Sequence, residues 1–131
     1  MADSDQPKTQ RGVLLTTNLL FSTMVTGTAS ALGQRVAVAS NVAEAVELCR
    51  AIPPAYVIID LGMAEIEIEA AVARLREAAG PIATIAYGSH VDKARLDAAR
   101  AAGCDEVMPR SRFSAELPDL LRRYSEANRQ S

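Results

Sequence analysis

The sequence predicts a single α/β domain: a parallel sheet of five strands, doubly wound, with helices on both faces. Three observations carry this. Short apolar, β-branched runs alternate five times with stretches of helical periodicity. One of those runs, Tyr56-Val57-Ile58-Ile59, is hydrophobic without interruption, the pattern of a strand buried on both faces of a parallel sheet. The length, 131 residues, suffices for one well-packed core and is too short for two.

The elements follow in order from Gly12. Val13 to Thr16 reads as the first strand, and Asn18 stands where a helix would be capped. Leu19 to Leu32 carries Leu20, Met24, Thr28, Ala31 and Leu32 at helical spacing and ends at Gly33. Its threonines and Gly27 make it a weak helix by propensity, so packing has to hold it. Arg35 to Ala39 alternates as a second strand. A helix follows with Val42, Ala45, Val46, Cys49 and Ile52 in one stripe, stopped by Pro53-Pro54. The buried third strand ends in Asp60, a carboxylate at the carboxyl edge of the sheet, where open α/β folds keep their sites. A third helix spans Ile66 to Ala79, with Ile68, Val72 and Leu75 facing in, and closes at Gly80-Pro81. Ile82 to Ala86 is the fourth strand and Tyr87 to His90 the loop after it. Asp92 to Ala102 forms a fourth helix ended by Gly103, and Cys104 to Met108 leads through a short fifth strand to Pro109. Ser114 to Glu126 completes the series as a helix with Leu117, Leu120, Leu121 and Tyr124 on one side. The resulting boundaries are a flexible tail over 1–11, the domain over 12–126, and a frayed end over 127–131.

Composition narrows the function classes. A formal net charge of -2, with no dense run of Lys and Arg, argues against nucleic acid as a partner. Cys49 and Cys104 are not spaced as a CxxC pair and read as buried, reduced thiols. The polar start of the chain lacks a signal peptide's apolar stretch, and no apolar run reaches the roughly 20 residues that span a bilayer. The expectation is a cytoplasmic protein that does not engage a membrane. The chain carries no internal repeat, no linker and no output domain, so it is expected to act as an isolated module.

Three local signatures, taken with this order of elements, are specific. Asp60-Leu61-Gly62-Met63 looks like a phosphoacceptor Asp followed by its turn. Ala101-Ala102-Gly103-Cys104-Asp105-Glu106 is similar to a helix end of the form A-G-A-D-D/E, and Met108-Pro109-Arg110 to a strand end where Pro and Lys meet. Over roughly Gly12 to Tyr124 the chain resembles the receiver domain of two-component response regulators, the CheY-like family. The resemblance implies a flavodoxin-like sheet with strand order 2-1-3-4-5.

It also implies what has been lost. A working receiver holds Mg²⁺ with a pair of acids after its first strand, because that hard cation wants carboxylate oxygens beside the phosphoacceptor. The matching positions are Thr17 and Asn18, which supply no negative charge. Magnesium is therefore expected to bind weakly, no other cofactor is expected, and phosphoryl transfer loses its main electrostatic support. The hydroxyl that reports the phosphoryl group from the fourth strand falls on Ala86. The aromatic switch falls on Val107, aromatic character having moved to Tyr87, and the Lys becomes Arg110. A standing Arg110–Asp60 ion pair is the natural consequence.

Other constellations are poorer. His90, the only histidine, reads as a surface residue at a helix start, and with Cys104 or Ser89 it builds no catalytic triad. Gly27 to Gly33 lies inside a helix, so it is no phosphate loop. Glu65, Glu67 and Glu69 stand at the start of the third helix, where the helix dipole favours acids. The expectation is a degenerate receiver, or pseudo-receiver. It would be no enzyme but a protein-interaction module in signalling, largely independent of phosphorylation. Its partner would be another signalling protein or a histidine kinase. A homodimer would form through the fourth helix, fifth strand and fifth helix, where Lys93, Arg95, Arg100, Arg112, Glu116, Asp119, Arg122 and Arg123 could exchange salt bridges. Two alternatives are carried: a single-domain receiver phosphorylated on Asp60 in a phosphorelay, and a flavodoxin-like small-ligand-binding protein or enzyme using the crevice near Thr17, Asn18, Asp60, Ala86 and Tyr87.

Overall fold

The structure is a computed structural model that describes residues 11–130, with side chains from 12 to 125. The expected tail over 1–11 therefore lies outside the described residues except for Arg11, which opens the first strand.

The strands are β1 (Arg11–Leu15), β2 (Arg35–Ala39), β3 (Tyr56–Asp60), β4 (Ala83–Gly88) and β5 (Glu106–Pro109), and the helices α1 (Leu19–Ala31), α2 (Val42–Ala51), α3 (Ile68–Ala79), α4 (Lys93–Ala101) and α5 (Arg110–Gln130). All pairings are parallel, in the order β2-β1-β3-β4-β5. Side chains alternate across a strand, so register assigns each residue to a face. Val13, Leu15, Val57, Ile59 and Ala86 pack with Val46, Cys49, Val72, Leu75, Leu96 and Ala99 beneath α2, α3 and α4. Leu14, Tyr56, Ile58, Ile85, Tyr87 and Met108 pack with Val25, Ala29, Phe113, Leu117, Leu120 and Leu121 beneath α1 and α5. β3 is buried at every position, as its unbroken hydrophobicity predicts.

Local chemistry sets the ends. Asn18, Asn41 and Asp92 cap α1, α2 and α4 by accepting from the backbone N–H of Phe21, Glu44 and Arg95. Gly103, at φ 93°, turns the chain out of α4 in a conformation that disfavours any side chain. Gly12 is required by contact instead: a Cβ there would lie 2.1 Å from Cε1 of the buried Tyr56 ring.

Four boundaries differ from the sequence reading. β4 continues through Tyr87 to Gly88, because Tyr87 pairs with Asp60 on one side and Met108 on the other while burying its ring. α3 begins at Ile68, with Glu65 at φ 66° and Glu67 at the N-cap, so only Glu69 of the acidic cluster lies in the first turn. α5 begins at Arg110, directly after Pro109, four residues earlier than Ser114. It accommodates Pro118 because that residue and Ser114, whose carbonyl loses its helical partner, both face solvent. It also runs past Glu126 to Gln130, and Ser131 is outside the described residues.

Candidate functional site

β1, β3 and β4 end together at the carboxyl edge of the sheet, and their alternation decides what surrounds Asp60. Leu14, Ile58 and Ile85 are on the α1 and α5 face, so Thr16, Asp60 and Tyr87, each two residues further on, share it. Thr16 Oγ1 donates to Asp60 Oδ2 at 2.6 Å, and the Gly62 backbone N–H donates to Oδ1 at 2.8 Å. Both carboxyl oxygens are thus engaged within the protein, and Asp60 is only 6% exposed. Thr16 is held in turn, since its Oγ1 also accepts from the Asn18 backbone N–H at 3.0 Å.

Tyr87 completes this arrangement. Its ring is fully buried in a stack, with centroids 5.1 Å from Phe21 and 4.4 Å from Phe113. Thr16 and Asp60 are polar neighbours of its hydroxyl, yet neither closes a hydrogen bond, and the hydroxyl is left buried without a partner. Burial first, then the negative charge of Asp60, push its ionisation well above the ordinary tyrosine range.

Several expected site residues stand elsewhere. Thr17 and Asn18 are exposed and do not face Asp60. Thr16 takes that place, Asn18 caps α1, and Thr17 lines a separate cleft of about 340 Å³ with Ser40, Asn41 and Glu65. Ala86 points to the opposite face, against the α2, α3 and α4 core, so the β4 residue facing Asp60 is Tyr87. Val107 packs partly buried on that same opposite face. The expected Arg110–Asp60 ion pair is absent from the ion pairs of the described residues. The Arg110 guanidinium instead lies 5.9 Å from the Phe21 ring centroid, a cation–π arrangement. It stays near the site all the same. A Cβ on Gly62 would be 3.1 Å from Asp60 Oδ1 and 3.2 Å from Arg110 Nη2, so glycine keeps this turn open between them.

Sequence reasoning also missed Arg95, which it placed on a dimer surface. From α4 this side chain donates to the Leu61 carbonyl and, at 3.1 Å, to the Met63 carbonyl, pinning the loop that follows Asp60. Most of the other charges on that surface are paired within the chain: Lys93 and Arg100 with Asp97, Arg112 with Glu116, Arg122 with Asp119, and Arg123 with Glu106. Cys49 is buried and Cys104 half-buried, and neither forms a disulfide.

The donors around Asp60 do not fit a magnesium ion. They comprise one carboxylate with both oxygens already bonded, a threonine hydroxyl and a tyrosine hydroxyl, and no group of three His, Cys, Asp or Glu able to hold a metal occurs among the described residues. No described helix is long and apolar enough to cross a membrane.

No family model and no curated protein sequence matches the chain. Solved structures do. A receiver domain of a sensor histidine kinase from Pseudomonas aeruginosa, described with magnesium in its active-site cleft, is 19% identical over 89% of this chain and 98% of its own, with a TM-score of 0.76. A CheY-like protein, TadZ, from the same organism is 24% identical over 88% of this chain and 98% of its own, with a TM-score of 0.71. A CheY-like receiver domain protein from Methanospirillum hungatei reaches 0.78 at 10% identity, covering 92% of this chain and 97% of its own. Strand order, helix placement and these likenesses agree: the chain has the fold of the CheY-like response-regulator receiver domains.

Proposed function

We propose that this chain is a pseudo-receiver: a receiver-type signalling module that works through protein contacts and without phosphorylation of Asp60. One observation carries the reading. Thr16 Oγ1 and the Gly62 N–H occupy the two Asp60 oxygens at 2.6 and 2.8 Å in a nearly buried site that offers no second acid for a divalent cation. Attack on a phosphodonor would require breaking the Thr16 bond, exposing the carboxylate and managing the donor's charge without a metal. The module acts by binding rather than by catalysis, in the cytoplasm, on another signalling protein or a second copy of itself. The α4, β5 and α5 face is a weak candidate for self-association, since most of its charges are already satisfied intramolecularly.

A second reading, a single-domain receiver that takes phosphate from a histidine kinase, draws on the placement of Asp60 at the end of β3 with Arg110 close by. Intact mass spectrometry after incubation with acetyl phosphate and Mg²⁺ separates the two, with an authentic receiver and Asp60→Ala run alongside. The expected result is an unmodified mass while the authentic receiver is labelled. An adduct that disappears in Asp60→Ala overturns the proposal in favour of the phosphorylated receiver.

A further inference from the structure

A cleft of about 440 Å³ opens beside Asp60, lined by Phe21, Ser89, His90, Arg110, Ser111 and Ser114. Its volume lies within the range of about 300–1,000 Å³ typical of small-ligand sites. Its chemistry is one-sided. Arg110 contributes a guanidinium that makes none of the ion pairs found among the described residues, Ser89, His90, Ser111 and Ser114 contribute polar groups, and no acid lines the cleft. It also receives the start of α5, whose first turn has no acid and carries Arg110 and Arg112. Cations at the positive end of a helix are unfavourable unless an anion answers them. Arg112 is answered by Glu116 at 2.9 Å, and Arg110 is not so answered.

The cleft also has an apolar wall. The Phe21 ring that lines it is stacked at 5.1 Å on the fully buried Tyr87 ring, which fixes its position. Phe21 supplies an apolar surface at the same site, and the neighbouring Leu20 and Val91 are each 76% exposed.

We infer that the cleft between α1, the β4–α4 loop and the first turn of α5 is a binding site for a small organic anion. The phosphate or carboxylate would lie on Arg110, the Ser111 and Ser114 hydroxyls and the α5 N-terminus, and an apolar or aromatic body would lie against Phe21. The site is independent of covalent chemistry at Asp60. The mass-spectrometric result above therefore leaves it undecided, and its failure would leave the pseudo-receiver reading intact.

The test is an amide-shift titration by NMR with phenyl phosphate, benzoate, inorganic phosphate and phenol, at ionic strength held constant with sodium chloride. Phenyl phosphate or benzoate is expected to shift Ser89, His90, Ser111 and Ser114 saturably and more tightly than inorganic phosphate, whereas phenol leaves them in place. The preference between the two aromatic anions identifies the headgroup. Arg110→Gln is expected to weaken binding by about tenfold or more. Arg112→Gln, the same charge change outside the cleft, keeps the affinity. The inference is overturned if neither aromatic anion saturates, if phenol or inorganic phosphate binds equally well, or if Arg110→Gln leaves the affinity unchanged.

Discussion

Replacing Thr16 with Val tests the Asp60 cradle most directly. The substitution keeps the β-branched shape, so the packing of a residue 2% exposed changes little, and it removes the hydroxyl that donates to Asp60 Oδ2 at 2.6 Å. Asp60 then keeps only the Gly62 N–H among its present donors, in a site that is 6% exposed. A hydrogen bond to a charged group contributes roughly 1.5–3 kcal/mol, and losing it leaves an acceptor with no partner in place. We expect a loss of about 2 kcal/mol, which for a domain of this size moves the urea midpoint by about 1 M with an unchanged slope. The comparison with Asp60→Ala makes the assay specific. When Asp60→Ala is already in place, Thr16→Val should cost less than about 0.5 kcal/mol, giving a coupling of roughly 1–2 kcal/mol. Equal losses in the two backgrounds, or midpoints that coincide for wild type and Thr16→Val, would refute the reasoning that this bond holds the carboxylate.

Other perturbations probe the surroundings. Gly12→Ala drives a methyl to 2.1 Å from the rigid, fully buried Tyr56 ring and should destabilise the domain by about 3 kcal/mol, visible as a lowered urea midpoint; near-wild-type stability would mean the ring can shift freely. The three tyrosines should resist ionisation near pH 10: burial raises Tyr56 and Tyr87 strongly, and burial with the Glu106 hydrogen bond pushes Tyr124 up to about 12. Because the folded protein holds these protons more tightly than the unfolded chain, stability is full below pH 10 and falls as pH rises from about 10 to 12 and above. Absorbance titration should show phenolate appearing together with unfolding, and free titration of folded protein near pH 10 would contradict this. Arg95→Gln removes the donors to the Leu61 and Met63 carbonyls and should speed amide exchange in the segment from Met63 to Ile66 by about tenfold while global stability changes little; unaltered exchange would show that the loop holds itself.

What the sequence by itself determined is the architecture and the position of the acid. Five apolar runs in helical surroundings, an unbroken buried strand at Tyr56 to Ile59, the cap at Asn18, and Asp60 at the strand end were all legible, because propensity, capping and burial act over a few residues. The neighbours of Asp60 were not. Side chains alternate with a period of two, so an error of one residue in phase exchanges the faces. Thr16 rather than Thr17 and Asn18, and Tyr87 rather than Ala86, meet the carboxylate for that reason. The long-range partners were equally out of reach. Arg110 lies against Phe21 from a helix 89 positions away in the chain, and Arg95 reaches back to Leu61 across 34. Those contacts exist only once α1, α4 and α5 have docked on the sheet, so tertiary packing alone decided that the acid is enclosed and that the Arg110 guanidinium opens onto a cleft beside it.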